Sequence, residues 1–295
     1  MPEHAPRIYI VPASPPERLW RLVKQTFVGC IEDDCFGIAK GVAYSGLLSL
    51  FPILTSIEAI LVVANAGDVS RTLGRLIFEV APPGTETMIE ALFTSKGQRP
   101  GWLVVVATTL SILAASGAMM SLMDGFQAAY RLPSGRPFLK QRGMAILLVL
   151  IVAVPAVGAS ILIVFGRKLE AWIFDVLGLG GKGGHLTGWP AIISVSTRYL
   201  IAFAFVVLAT GLLYYFGPNQ KVKFKSVWPG AIVATLLWVL TTAGFGWYVR
   251  NLANYNVMYG SIAAVIVMIV WMYLLAFIAL FGCEFNAERE RLRAT

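Results

Sequence analysis

The chain has 295 residues, 57% of them hydrophobic and only 14% charged, whereas ordinary soluble domains carry roughly 25% charge. Its mean hydropathy of +0.73 excludes an ordinary water-soluble domain and points to an integral membrane protein. The net charge of +8 would suit nucleic acid, but the excess lies in loops beside apolar runs, where anionic headgroups explain it, so no nucleic-acid partner is expected.

The first 41 residues contain no apolar signal-peptide core, so the mature chain is expected to begin near Met1. Within this segment "SPPERLWRLVKQTFVGCI", Ser14 to Ile31, places Leu19, Trp20, Val23, Phe27 and Ile31 on one helical face against Arg18, Arg21 and Lys24. Such a pattern belongs to an amphipathic helix at the membrane interface. A helix packed against the protein's own loops fits it equally.

Six apolar runs are long enough to cross a hydrocarbon core of about 30 Å, which takes roughly 20 helical residues. They are Val42 to Ala64, Trp102 to Met123, Met144 to Phe165, Tyr199 to Phe216, Val227 to Val249 and Ile262 to Cys283. The expected fold is therefore all-α, a polytopic membrane protein with a six-helix domain over 42–284. It is flanked by the N-terminal segment, 1–41, and a short tail, 285–295. Pro52 and Pro155 interrupt two spans, which bundle neighbours can tolerate.

Lysine and arginine set the orientation. With the N-terminus inside, the inner segments carry five, four, three and three basic residues, and the outer segments four, four and one. The contrast is sharpest between "PNQKVKFKS" and the last outer join, whose one basic residue is Arg250, so both termini are expected in the cytosol. The three cysteines, Cys30, Cys35 and Cys283, then fall on the reducing side, and no structural disulfide is expected.

In the first span Gly41, Ser45 and Ser49 recur every four residues, a row that lets another helix approach closely. Pro52 then bends the helix and frees a carbonyl near Leu48. Glu58 is the one acidic residue well inside an apolar run, a costly placement that raises a role in ligand or proton handling. Near the outer boundary it could instead reach water, pair with Arg198 or Arg250, or stay protonated.

The first outer loop holds helical patterns in "SRTLGRLIFEV" and "TETMIEALF", and the second in "RKLEAWIFDVL" ahead of "GLGGKGG". These read as short loop helices, either capping an outward cavity or lying along the interface, the second being favoured. "WLVVVATTL" and "WPGAIVATLL" each reach a threonine, Thr109 and Thr235, seven residues after a tryptophan, a weak echo of two inverted halves. At the inner ends, Asp124 and Arg131 follow the second span and Glu284 ends the sixth. Their charges can tie the inner loops together or anchor an anionic headgroup.

The join "NLANYNVMYGS", Asn251 to Ser261, is richer than a turn needs. Tyr255 and Tyr259 match an interfacial aromatic belt, and Gly260 and Ser261 allow a reversal and a helix cap. Asn254 and Asn256 offer donors and acceptors without charge, suited to tying helix ends together or to binding a polar headgroup.

No GxSxG, HExxH or Walker A motif occurs, and the two histidines, His4 and His185, are predicted on opposite sides. No catalytic residue, metal or cofactor is expected, and the chain is not expected to be an enzyme.

"AKGVAYSGLLSLFPIL", "AAYR" with "RPFLKQR", "VWPGAIVATLLW", "NYNVMYGSIAAVIVMIVWMY" and "FGCEFNAE" together resemble the YihY family, also called the virulence factor BrkB family, of bacterial inner-membrane proteins. The resemblance implies six transmembrane helices, an inner-membrane location and cytosolic termini. It also implies links to serum resistance and to movement of lipid or envelope components, and it sets aside the family's former label, ribonuclease BN.

The expected function is transport or flipping of an amphiphilic or anionic small molecule or lipid, with a non-transporting envelope scaffold as the alternative. Asn254, Tyr255, Asn256 and Tyr259 would recognise the polar part and Glu58 would be the coupling group. Expected partners are membrane lipids and that substrate, with homo-oligomer formation left open.

Overall fold

The computed structural model describes residues 15–63, 101–132, 136–176, 189–220, 222–251 and 262–294. Among them the secondary structure is entirely helical: α1 (Pro15–Glu32), α2 (Cys35–Val63), α3 (Gly101–Ala129), α4 (Phe138–Val176), α5 (Trp189–Phe216), α6 (Phe224–Asn251) and α7 (Ile262–Ala294). The six helices after α1 are each long and apolar enough to cross a membrane.

The local chemistry explains where the helices begin and end. Prolines open α1, where a missing N–H costs nothing, and Glu17 suits its positive end. Only Asp33 and Asp34 separate α1 from α2. Asp34 Oδ1 accepts the Gly37 N–H at 3.2 Å and so caps α2, and a Cβ on Gly37 would lie 2.3 Å from the Asp34 carboxylate. Helix α3 closes with Leu132 N–H on Gln127 O at 3.0 Å and Arg131 N–H on Ala128 O at 2.7 Å, the paired bonds of a Schellman cap. Arg131 takes the left-handed position, φ 49 being that of Asp34 and φ 51 its own.

Two expectations on boundaries change. The first span begins at Cys35 rather than Val42, because capping by Asp34 starts the helix seven residues earlier. The segment 167–176 is not a separate loop helix: α4 runs unbroken for 39 residues through Pro155 and Gly166 to Val176. The segments 64–100 and 177–188, with the other loop helices, lie outside the described residues.

The six spans pack in chain order, α2 on α3, α3 on α4, and so on to α7, which closes back onto α2. The result is a ring, with α7 also reaching α3 and carrying α1 on its outer side. Six spans place α1 and the end of α7 on one face, called here the α1 face. The tightest core lies at that end, where Cys35, Ala39, Met123, Phe126, Tyr214, Val227, Ala231, Leu280 and Cys283 are buried together. Leu48, Val154, Leu200 and Leu240 are exposed around the outside, as expected of helices whose outer surface meets lipid.

Candidate functional site

A dense cluster of hydrogen-bonded polar groups lies at the α1 face, while Ser56 Oγ and Thr108 Oγ1 pair at 2.8 Å farther along α2 and α3. Helices α6 and α7 cross backbone to backbone at the α1 face. A Cβ on Gly230 would lie 2.1 Å from Gly282 O, and one on Gly282 would lie 2.4 Å from Tyr214 Oη. Only glycine permits that approach. The fully buried Asn286 grips the start of α6: its Oδ1 accepts the Gly230 N–H at 2.7 Å, and its Nδ2 donates to Val227 O at 2.9 Å. Tyr214 Oη donates to Ala279 O at 2.7 Å and Trp238 Nε1 to Leu275 O at 2.8 Å, so α7 accepts bonds from both α5 and α6.

Glu284, two residues before Asn286, points to another side of α7 because helical neighbours two apart do not share a face. Its side chain is fully buried. Arg291 Nη1 donates to Glu284 Oε1 at 3.2 Å and also bonds Glu288, while Nη2 bonds Ala129 O at the end of α3. Glu284 Oε2 has no partner among the described residues, and neither do Asp33 Oδ2, Tyr130 Oη and Gln25 Oε1. A Cβ on Gly29 would lie 2.5 Å from Glu284 Oε1, so α1 brings bare backbone against this carboxylate. The buried thiols of Cys30, Cys35 and Cys283 complete the same corner of the core.

Arg131 Nη2 meets Glu32 Oε2 at 2.6 Å, and its Nε lies 3.7 Å from Asp33 Oδ1, tying the end of α3 to the α1–α2 corner. Burial pushes the Asp33 carboxyl above its ordinary range, against the opposing pull of Arg131. Burial also raises the Tyr130 phenol and lowers the Arg136 guanidinium. Arg136 donates to Gly217 O at 3.0 Å and Pro218 O at 3.1 Å, capping carbonyls at the end of α5.

The residues singled out in the sequence divide clearly. Asp124 accepts from Gln141 Nε2 at 2.5 Å, joining α3 to α4, so it does not pair with a basic residue of its own loop. Arg131 ties corners of the α1 face together, although its partners are Glu32 and Asp33 and not Glu284. Gly41 is exposed, with nothing within 4 Å of a Cβ built on it, so the small-residue row makes no close helix contact there. Ser45 is half-buried, whereas Ser49 is buried and donates to Gly46 O at 2.7 Å. Helix α2 continues through Pro52. Glu58 lies on α2, but its side chain is outside the described residues, as are Asn254, Tyr255, Asn256 and Tyr259.

Sequence reasoning missed the grip of Asn286 on α6, the cap made by Arg136 and the role of Arg291. The available signal was Gly230 after Pro229 near the start of one span and Gly282 near the end of another, which together mark a close crossing. Among the described residues, no three His, Cys, Asp or Glu side chains are placed to share a metal ion.

A closed ring of six apolar helices defines a polytopic integral membrane protein. The chain belongs to the virulence factor BrkB family, whose model matches residues 26–295. Among its relatives is the putative ribonuclease-like protein YfkH of Bacillus subtilis, 30% identical over 85% of this chain and 89% of the relative. UPF0761 membrane proteins are also similar: one from Alteromonas mediterranea at 27% identity, covering 88% and 84%, and one from Vibrio vulnificus at 28%, covering 86% and 78%. These relatives and the six apolar helices make it a multi-pass bacterial membrane protein. No solved structure matches the chain.

Proposed function

We propose that this protein moves an amphiphilic or anionic small molecule or lipid across the bacterial inner membrane, with both termini in the cytosol. The observation that carries the reading is ring closure: the six spans pack in chain order and α7 returns onto α2. A bundle of that form can expose a polar path to either side by small rocking of neighbouring helices.

The recognition groups in this reading are Asn254, Tyr255, Asn256 and Tyr259 at the outer end, with Glu58 as the coupling group. Uncharged amides bind a polar headgroup and release it again without paying for a buried charge. We propose no enzymatic role, and the ribonuclease-like name is that of the Bacillus relative.

The test compares wild type with an Asn254→Ala, Asn256→Ala double variant, each captured in nanodiscs cut from native membranes. Mass spectrometry of retained small molecules and lipids should show one species enriched in wild type and lost in the variant. Equal retention by both proteins removes the assignment of these residues, and a set of retained partner proteins with no enriched small molecule favours a scaffold.

A further inference from the structure

Helix α1 presents three distinct sides. Leu22, Thr26, Gly29 and Cys30 are buried against the bundle, while Trp20, Val23, Phe27 and Ile31 are exposed, Trp20 to 71%. The third side carries Arg21, Lys24, Gln25 and Glu32. With Glu288 of α7, these side chains line a groove of about 400 Å³, within the size range of small-molecule sites. The two-residue turn at Asp33 and Asp34 ties α1 to the membrane end of α2, which holds the helix at headgroup level.

The groove has two ends of opposite character. Arg21 and Lys24 make no ion pair among the described residues. At the other end, the carboxylates of Glu32 and Glu288 share Arg131 with Asp33 and Arg291 with Glu284, four carboxylates to two guanidiniums.

We propose that this groove is a phospholipid site selective for a phosphoethanolamine headgroup. The phosphate lies on Arg21 and Lys24, and the ammonium lies against the Glu32 and Glu288 carboxylates. Lys24 is one helical turn from both Trp20 and Phe27, so a headgroup held there leaves its acyl chains along the exposed apolar stripe. The site concerns a lipid held at the α1 face, and it stands whether or not the protein transports anything.

The test is native mass spectrometry of the purified full chain, exchanged into equimolar phosphatidylethanolamine and phosphatidylglycerol. Wild type should retain phosphatidylethanolamine preferentially. Arg21→Ala with Lys24→Ala should lower that retention by roughly tenfold or more, the loss of a charge-assisted hydrogen bond. Glu32→Gln with Glu288→Gln should abolish the preference between the two lipids. Arg18→Ala, outside the groove, should change neither, and unchanged melting of each variant shows that the fold is intact. Equal retention of both lipids by wild type overturns the headgroup assignment, leaving a nonspecific cationic surface. Retention unaffected by the Arg21 and Lys24 changes overturns the site itself.

Discussion

Arg131 stands in the left-handed position that closes α3, where glycine is the usual occupant, because its guanidinium is needed at the α1–α2 corner. The exposed ion pair contributes at most about 1 kcal/mol, similar to the backbone strain it carries. Arg131→Gly should therefore leave stability nearly unchanged, whereas Arg131→Ala, which loses the pair and keeps the strain, should cost about 1 kcal/mol more. Thermal unfolding in detergent separates the two. Asp33 behaves differently: burial raises its folded-state carboxyl above the ordinary value of about 3.9. Its protonated form therefore supports the fold fully below the unfolded value, and that support is lost as pH rises through the raised folded value. Asp33→Asn fixes a neutral side chain, so it should gain on wild type as pH rises from acid to neutral. A variant clearly weaker than wild type at neutral pH would show that the Arg131 contact outweighs the desolvation.

The crossing of α6 and α7 concentrates the consequences of single substitutions at the element scale. Gly230→Ala must drive the helices apart at Gly282 O and should cost ~1–3 kcal/mol. Asn286→Ala strands the Gly230 N–H without opening the crossing and should cost a similar ~1–3 kcal/mol. Gly244→Ala, with nothing within 4 Å of its Cβ, should cost nothing measurable in the same unfolding assay. The spans themselves were legible in the sequence, because roughly 20 apolar residues in a row admit few other readings. Their ends were less so. The cap at Asp34 moved the start of α2, and Gly166 did not stop α4 because helical pattern resumes directly after it. Glu284 stood out as a polar residue at a span end, yet only the fold shows that it faces Arg291 and that Asn286 faces α6.

For the whole molecule, the order of helices in the ring was not legible, and the reason is physical. Lipid tails and neighbouring helices are equally apolar, so span faces toward protein and toward lipid carry the same residue types. The amphipathic α1 was the exception, its apolar face readable because it borders water. The crossing at Gly230 and Gly282 lies at the α1 face of α6 and α7, and in the sequence Asn254 and Asn256 fall between these two helices. The proposed function runs substrate passage along the ring. The most direct test reconstitutes the full chain in vesicles with a fluorescent phospholipid and measures how much label a membrane-impermeant quencher can reach. Transport predicts that wild type exposes label from the inner leaflet beyond the level of protein-free vesicles, and that the Asn254→Ala, Asn256→Ala variant returns to that level. Wild-type vesicles with the same quenching as protein-free ones, across phospholipids of different headgroup, would contradict it.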